Sequence, residues 1–176
     1  VIFMLKVFLT EDESVVREGL RDSIPWSDCG YIFAGEATDG EMALPQLLEI
    51  RPDVLITDIK MPFMDGLELS RIVSRELPDT HIIILSGYDD FEYARQAIEL
   101  HVDQYLLKPI MKADMVAALE RTRRHIEEAR EQKSYSLKYA LEALEIERNA
   151  FFEKLVNAAS PQADLLSEAE ALHIDI

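Results

Sequence analysis

Val54-Leu55-Ile56-Thr57-Asp58-Ile59-Lys60-Met61-Pro62-Phe63-Met64-Asp65-Gly66-Leu67-Glu68-Leu69-Ser70-Arg71-Ile72-Val73, continuing to Leu77, is the stretch that decides the fold. It begins with four β-branched or aliphatic residues in unbroken succession, as a strand buried on both faces requires. It ends with Leu69, Ile72, Val73 and Leu77, spaced three and four apart, which places an apolar stripe on one side of a helix. A buried strand that leads through a loop into an amphipathic helix is half of a βαβ unit. Such units build a parallel sheet covered by helices on both sides.

The same alternation extends in both directions from this stretch. Leu5–Leu9, Tyr31–Ala37, Ile82–Leu85 and Tyr105–Leu107 read as further strands beside Val54–Thr57. Ser14–Ile24, Glu41–Ile50 and Asp90–His101 join Gly66–Leu77 as helices. Five strand and helix units predict one doubly wound α/β domain over residues 4–125, with Met4 as an alternative natural start. From Met111 to Ala159 the chain has neither proline nor glycine, which predicts a long helix. Within it Leu137, Leu141, Leu144, Phe151 and Leu155 follow a four–three spacing broken by Arg148, giving residues 126–159 coiled-coil character. Such a stripe serves either as a dimer seam, expected to be parallel, or as a face that packs on a neighbouring domain. Ser160-Pro161 ends the pattern, and residues 160–176 read as the start of a following domain that is cut short.

The 176 residues are 48% hydrophobic and 30% charged, a balance that suits a soluble globular chain. No apolar run approaches the roughly 20 residues of a membrane span. Val1–Leu5 is too short for a secretory signal. The single cysteine, Cys29, excludes an internal disulfide and fits a cytoplasmic setting. Of the formal charge of −16, −12 falls in residues 1–110 and −4 in the remainder. Neither part has the basic stripe that nucleic-acid binding needs, so DNA contact would have to come through a domain outside this chain.

In an open parallel sheet, functional groups gather at the carboxyl ends of the strands. Those ends carry Glu11-Asp12-Glu13, Asp58, Ser86 and Lys108-Pro109. Each alone has an ordinary explanation as a helix cap, a turn hydroxyl or a surface cation. Together they form an acidic rim with one hydroxyl and one amine. Clustered carboxylates raise one another's pKa unless a cation intervenes, and a hard ion with oxygen ligands, Mg²⁺, suits them. Mg²⁺, a lysine and a hydroxyl can between them stabilise phosphoryl oxygens, with Asp58 as nucleophile forming an aspartyl phosphate.

The runs Thr10-Glu11-Asp12-Glu13, Thr57–Gly66, Leu85-Ser86-Gly87-Tyr88 and Tyr105-Leu106-Leu107-Lys108-Pro109 resemble the receiver domain of bacterial two-component response regulators. The resemblance covers about residues 4–125 and holds order and spacing at four separate sites. It implies a flavodoxin-like (βα)5 sheet of strand order 2-1-3-4-5 followed by a long C-terminal helix. It also implies phosphorylation of Asp58 by a sensor histidine kinase. Asp12 would bind Mg²⁺ directly, Glu11 largely through a water, and the backbone carbonyl of Lys60 would complete the protein ligands. Ser86 and Lys108 would engage phosphoryl oxygens, and Tyr105 would turn inward when Ser86 does so. Pro109 is expected to follow a cis peptide, and Gly66 to supply a turn conformation. The family usually has two aspartates where this chain has Glu11-Asp12, so the longer carboxylate must fold back. The segment after residue 126 is similar to the helical linker of receivers joined to an AraC-type DNA-binding output.

Three other readings fit less well. A haloacid-dehalogenase-type phosphatase needs an aspartate two residues after the nucleophile, where this chain has Lys60. A flavodoxin-like electron carrier needs a first loop that cradles a flavin phosphate, which Glu11-Asp12-Glu13 would repel. A purely structural module would have no use for Asp58, Ser86 and Lys108 together.

Overall fold

The unbroken apolar runs form five strands: β1 (Leu5–Thr10), β2 (Tyr31–Ala37), β3 (Val54–Asp58), β4 (His81–Ser86) and β5 (Gln104–Leu107). The computed structural model describes residues 4–87 and 91–157. Between and after the strands lie α1 (Ser14–Ser23), α2 (Gly40–Ile50), α3 (Gly66–Glu76), α4 (Phe91–Glu99) and α5 (Lys112–Asn157). The strands pair in parallel in the order β2-β1-β3-β4-β5, the flavodoxin-like order that the resemblance implied. Asp90 and residues 160–176 lie outside the described residues.

Strand alternation divides the apolar side chains into two cores. Val7, Leu9, Val54, Ile56, Ile83 and Leu85 face one side, where Leu20 of α1 and Met115 and Leu119 of α5 meet them. Phe8, Leu55, Ile82 and Ile84 face the other, against Leu47 of α2, Leu69 and Val73 of α3 and Ala97 of α4. Successive strand residues point to opposite faces, so a strand covered on both sides is apolar throughout. Each large side chain buried this way contributes roughly 1.5–3 kcal/mol.

Helix starts follow local chemistry. Asp39 accepts the Met42 N–H at 2.9 Å to cap α2, and Asp65 accepts the Glu68 N–H at 2.8 Å to cap α3. Helix α4 stops at Glu99, two residues short of the expected His101, whose backbone has turned left-handed with φ 54°. Lys112–Asn157 is one uninterrupted helix of 46 residues. Its packed unit closes at Ile126. Within that unit α5 is tied down at several points. The Tyr31 hydroxyl donates to the Leu119 carbonyl at 2.8 Å, and Arg123 Nη1 donates to the Cys29 carbonyl at 3.2 Å. Asp103, just before β5, is gripped by His81 Nδ1 from β4 and by His125 Nδ1 from α5, the latter at 2.9 Å. Burial works against the Asp103 carboxylate, but the two imidazoles outweigh it and hold its pKa below the usual range.

Farther along α5, Leu137, Leu141 and Leu144 are more than half exposed, whereas Phe151 is fully buried. The side chain of Leu155 is not among those described. Of the expected stripe, three leucines therefore form an open apolar face and Phe151 does not. Among the described residues no helix is long and apolar enough to cross a membrane.

Candidate functional site

The sheet register brings the strand ends to one edge. Thr10 of β1 lies beside Thr57 of β3, Asp58 beside Leu85 of β4, and Ser86 beside Leu107 of β5. The residues that follow β1 and β5 therefore meet Asp58 above the sheet. One carboxylate oxygen from each of Glu11, Asp12 and Asp58 lies within 4.8 Å of the others. Lys108 Nζ reaches in from the β5 side, 2.9 Å from Glu11 Oε2, 3.4 Å from Asp58 Oδ2 and 3.6 Å from Glu13 Oε1. The Lys108-Pro109 peptide is cis, as expected.

Burial sets the electrostatics. Glu11 is wholly enclosed, and its pKa is pushed up to about 6, chiefly by loss of water, while Lys108 pulls it down and Asp58 adds to the rise. Asp58 is raised by burial too, against the pull of Lys108 and a hydrogen bond from the Ile59 N–H. Burial opposes the Lys108 ammonium, but Glu11 and Asp58 outweigh it, so Lys108 stays charged above its ordinary value. Glu11, Asp58 and Glu13 thus share one half-buried cation, with negative charge left over. The donor set is oxygen only and excess in charge, which fits a hard divalent cation such as Mg²⁺.

Glu11 does fold back, as the extra methylene demanded: its Oε1 accepts the Glu13 N–H at 3.2 Å and a hydrogen bond from Lys108 at 3.1 Å. Asp12 is exposed at the rim. Ser86 is buried, and its carbonyl accepts the Lys108 N–H at 2.8 Å, which joins the two strand ends. Tyr105 packs against the α2–α3–α4 core with its hydroxyl buried and without a hydrogen-bond partner among the described residues. The ring is thus already directed inward. Lys60 lies on the loop after Asp58, its ammonium 5.8 Å from the centroid of the Tyr93 ring.

Gly66 departs from expectation. Its φ is not positive, so it supplies no special turn. What it supplies is closeness: a Cβ there would fall 1.8 Å from the Asp58 carbonyl oxygen and 3.0 Å from Thr57 Oγ1. The Gly66 N–H donates to the Ile59 carbonyl at 2.9 Å, and Thr57 Oγ1 donates to the Asp58 carbonyl at 2.9 Å. The start of α3 is thereby locked onto the peptide of Asp58 itself.

Sequence reasoning missed Arg17, whose guanidinium donates to the Glu11 carbonyl at 2.7 Å. It also missed Thr57 as a brace and Phe63 as an exposed loop residue. None of these contacts has a signature in spacing, because each depends on which loops the fold brings together.

Comparison with known proteins identifies the family. Residues 7–120 match the response regulator receiver domain family. The transcriptional regulatory protein HptR of Staphylococcus aureus is 41% identical over 134 residues, covering 76% of this chain and 52% of HptR. The transcriptional regulatory protein YesN of Bacillus subtilis is 39% identical over 117 residues, 66% of this chain and 32% of YesN. The chain therefore spans about a third to a half of the curated relatives it matches. The receiver domain of AraT from Geobacillus stearothermophilus superposes with a TM-score of 0.68 at 41% identity, covering 72% of this chain and 98% of that one. A two-component transcriptional regulator AraC from Clostridium phytofermentans gives 0.64 at 33% identity, over 73% and 98%. This chain belongs to the response regulator receiver domain family.

Proposed function

We propose that the chain is a phosphorylation switch that accepts a phosphoryl group on Asp58 and passes the change to a transcriptional output domain. The observation that carries this reading is the placement of Asp58 in one cluster with Glu11 and Asp12, with Lys108 Nζ 3.4 Å from its carboxylate. An Asp58 oxygen attacks the phosphorus of a histidine kinase's phosphohistidine, the phosphorus–nitrogen bond breaks, and the imidazole leaves and takes up a proton. Lys108 offsets negative charge on the transferring oxygens, and Ser86 donates a hydrogen bond to one of them. Glu11, Asp12, Asp58 and the backbone carbonyl of Lys60 would hold Mg²⁺, which when bound supplies further positive charge to the phosphoryl oxygens. Between α1 and the Pro109-Ile110 segment lies an open groove of about 650 Å³, lined by Val15, Val16 and Leu20, beside Lys108. It offers the kinase an apolar landing site next to the acceptor. Intact-mass measurement after exposure to acetyl phosphate with and without Mg²⁺ tests the reading. One added phosphoryl group that depends on Mg²⁺ is expected, and no addition would sink it.

The raised pKa of Glu11 makes metal binding depend on pH. Mg²⁺ and a proton compete for the same carboxylate, so Mg²⁺ affinity is expected to fall as pH drops through about 6. Without metal the sign for stability follows from the same shift. Between about 6 and the model-compound value of 4.5 the folded chain binds more protons than the unfolded chain. Glu11 therefore adds stability as pH falls through that window and removes it as pH rises. Calorimetry at pH 7.5 and 5.5 measures the first effect. Asp12→Ala is expected to weaken Mg²⁺ more than Glu11→Ala, because Glu11 is already committed to Lys108.

Phosphorylation adds charge at the strand ends, which draws on Ser86 and Tyr105 and rearranges the face made by α4, β5 and α5. Ser86→Ala is expected to accept phosphate yet lose any phosphorylation-dependent dimerisation. The open leucine face of α5 supports self-association even without phosphate, since exposed apolar stripes call for a cover. Sedimentation at roughly tens of micromolar is expected to give a dimer for residues 1–176 and a monomer for a chain ending at 125. Two monomers would make Leu137, Leu141 and Leu144 a docking face for another domain.

A further inference from the structure

Phe63 carries two separate costs. Its backbone lies in the left-handed region with φ 64°, where any residue with a Cβ is strained. The residue is 83% exposed, although Phe is among the residues most often buried. Glycine at this position would remove both costs. The conformation is imposed by the loop, which is fastened on either side. The Gly40 N–H donates to the Met64 carbonyl at 3.2 Å, Asp65 caps α3, and Gly66 is locked to Ile59. The loop thus holds Phe63 out into solvent on a fastened backbone, on the segment that carries Asp58 into α3.

The surroundings indicate what such a ring would meet. The rim of the site carries Glu11, Asp12 and Glu13, and residues 1–110 have a net charge of −12. A phosphorylated donor is itself anionic, so long-range attraction does not bring it in. The nearby cations are engaged already, Lys108 with three carboxylates and Lys60 over the Tyr93 ring. Apolar contact then contributes to affinity for a protein donor, and an exposed aromatic ring on a fastened backbone supplies contact area with only two side-chain torsions to order.

We infer that Phe63 is an anchor for the protein that delivers the phosphoryl group, its ring seating against apolar helix surface beside the donor's phosphohistidine. The inference rests on the phosphoacceptor reading of Asp58. A small donor brings no protein surface for the ring to seat against, so Phe63 bears on protein donors alone. It helps select which phosphohistidine proteins the receiver accepts.

The test compares Phe63→Gly, Phe63→Ala and Phe63→Trp with the parent chain. Acetyl phosphate with Mg²⁺ is the small donor. A panel of purified histidine kinase cores from the source organism, autophosphorylated with ATP, supplies the protein donors, and the core that labels the parent fastest is carried forward. Acetyl phosphate labelling and acyl-phosphate lifetime are expected to be equal in all four chains. Transfer from the kinase is expected to drop about tenfold in the Gly and Ala variants, on the scale of an interface hot spot, as a rise in KM, and to recover in the Trp variant. A melting temperature for the Gly variant no lower than the parent's separates the result from misfolding. Unchanged kinase transfer in the Gly and Ala variants overturns the inference. So does an equal drop with both donors, or a shortened acyl-phosphate lifetime, which would make the ring a cover for the phosphoryl group. Failure of every donor to label the parent removes the phosphoacceptor reading itself, and the inference with it.

Discussion

Asp58→Asn is expected to abolish phosphoryl incorporation, leaving an intact mass unchanged by acetyl phosphate and Mg²⁺ under conditions that label the parent fully. The expected loss is at least about a hundredfold in rate, the scale of removing a covalent nucleophile with no substitute in reach. Glu11 cannot take over, because it is fully buried and its carboxylate is committed to Lys108 at 2.9 Å and to the Glu13 N–H. Asp12 belongs to the same cluster but is exposed on the loop after β1, without the enclosure that Asp58 has. Equal labelling of the Asn variant would move the acceptor elsewhere. The same substitution removes one of three crowded carboxylates, so the apo variant should melt no lower than the parent. That result would separate lost chemistry from lost fold.

Gly66→Ala is expected to destabilise the domain by about 3 kcal/mol or more, the upper end of what overpacking costs. The new methyl carbon would lie 1.8 Å from the Asp58 carbonyl oxygen and 2.8 Å from its carbon, and backbone on both sides leaves nothing flexible to move. Relief requires α3 to slide away from β3, which breaks the Gly66 N–H to Ile59 bond and tilts the peptide that carries Asp58. Urea denaturation measures the loss, and the surviving folded fraction should also accept phosphate more slowly. A variant of parental stability would show that α3 is held far more loosely than these contacts indicate.

Those two residues illustrate what the sequence reveals and what it withholds. Asp58 is legible because it terminates an unbroken apolar run, and burial on both faces leaves strand ends as the natural places for such an acid. Glu11, Asp12, Ser86 and Lys108 are legible by the same logic, and the motif order adds their expected roles. Gly66 stands out as a glycine, but the reason for it is a close approach between elements, which a local sequence pattern does not encode. His81 and Gln104 carry no apolar signal, so the strand pattern in the sequence stops short of them, although each pairs in register. Phe63 gave no warning, since a positive φ at phenylalanine is dictated by the loop around it. Phe151 fits the spacing of the leucine stripe, yet its burial separates it from Leu137, Leu141 and Leu144.

The two cores share the β-sheet backbone but not their side chains, and that gives the domain a form of modularity. Leu55 and Ile56 are neighbours in sequence, yet one belongs to the α2–α3–α4 layer and the other to the α1–α5 layer. Double-mutant cycles should therefore find Leu55 and Ile56 nearly additive, within a few tenths of a kcal/mol, about the usual limit for independent sites. Ile56 and Leu119, which belong to the same layer on distant segments, should couple more strongly. A chain built this way can vary one layer, and whatever binds there, while the other keeps its packing.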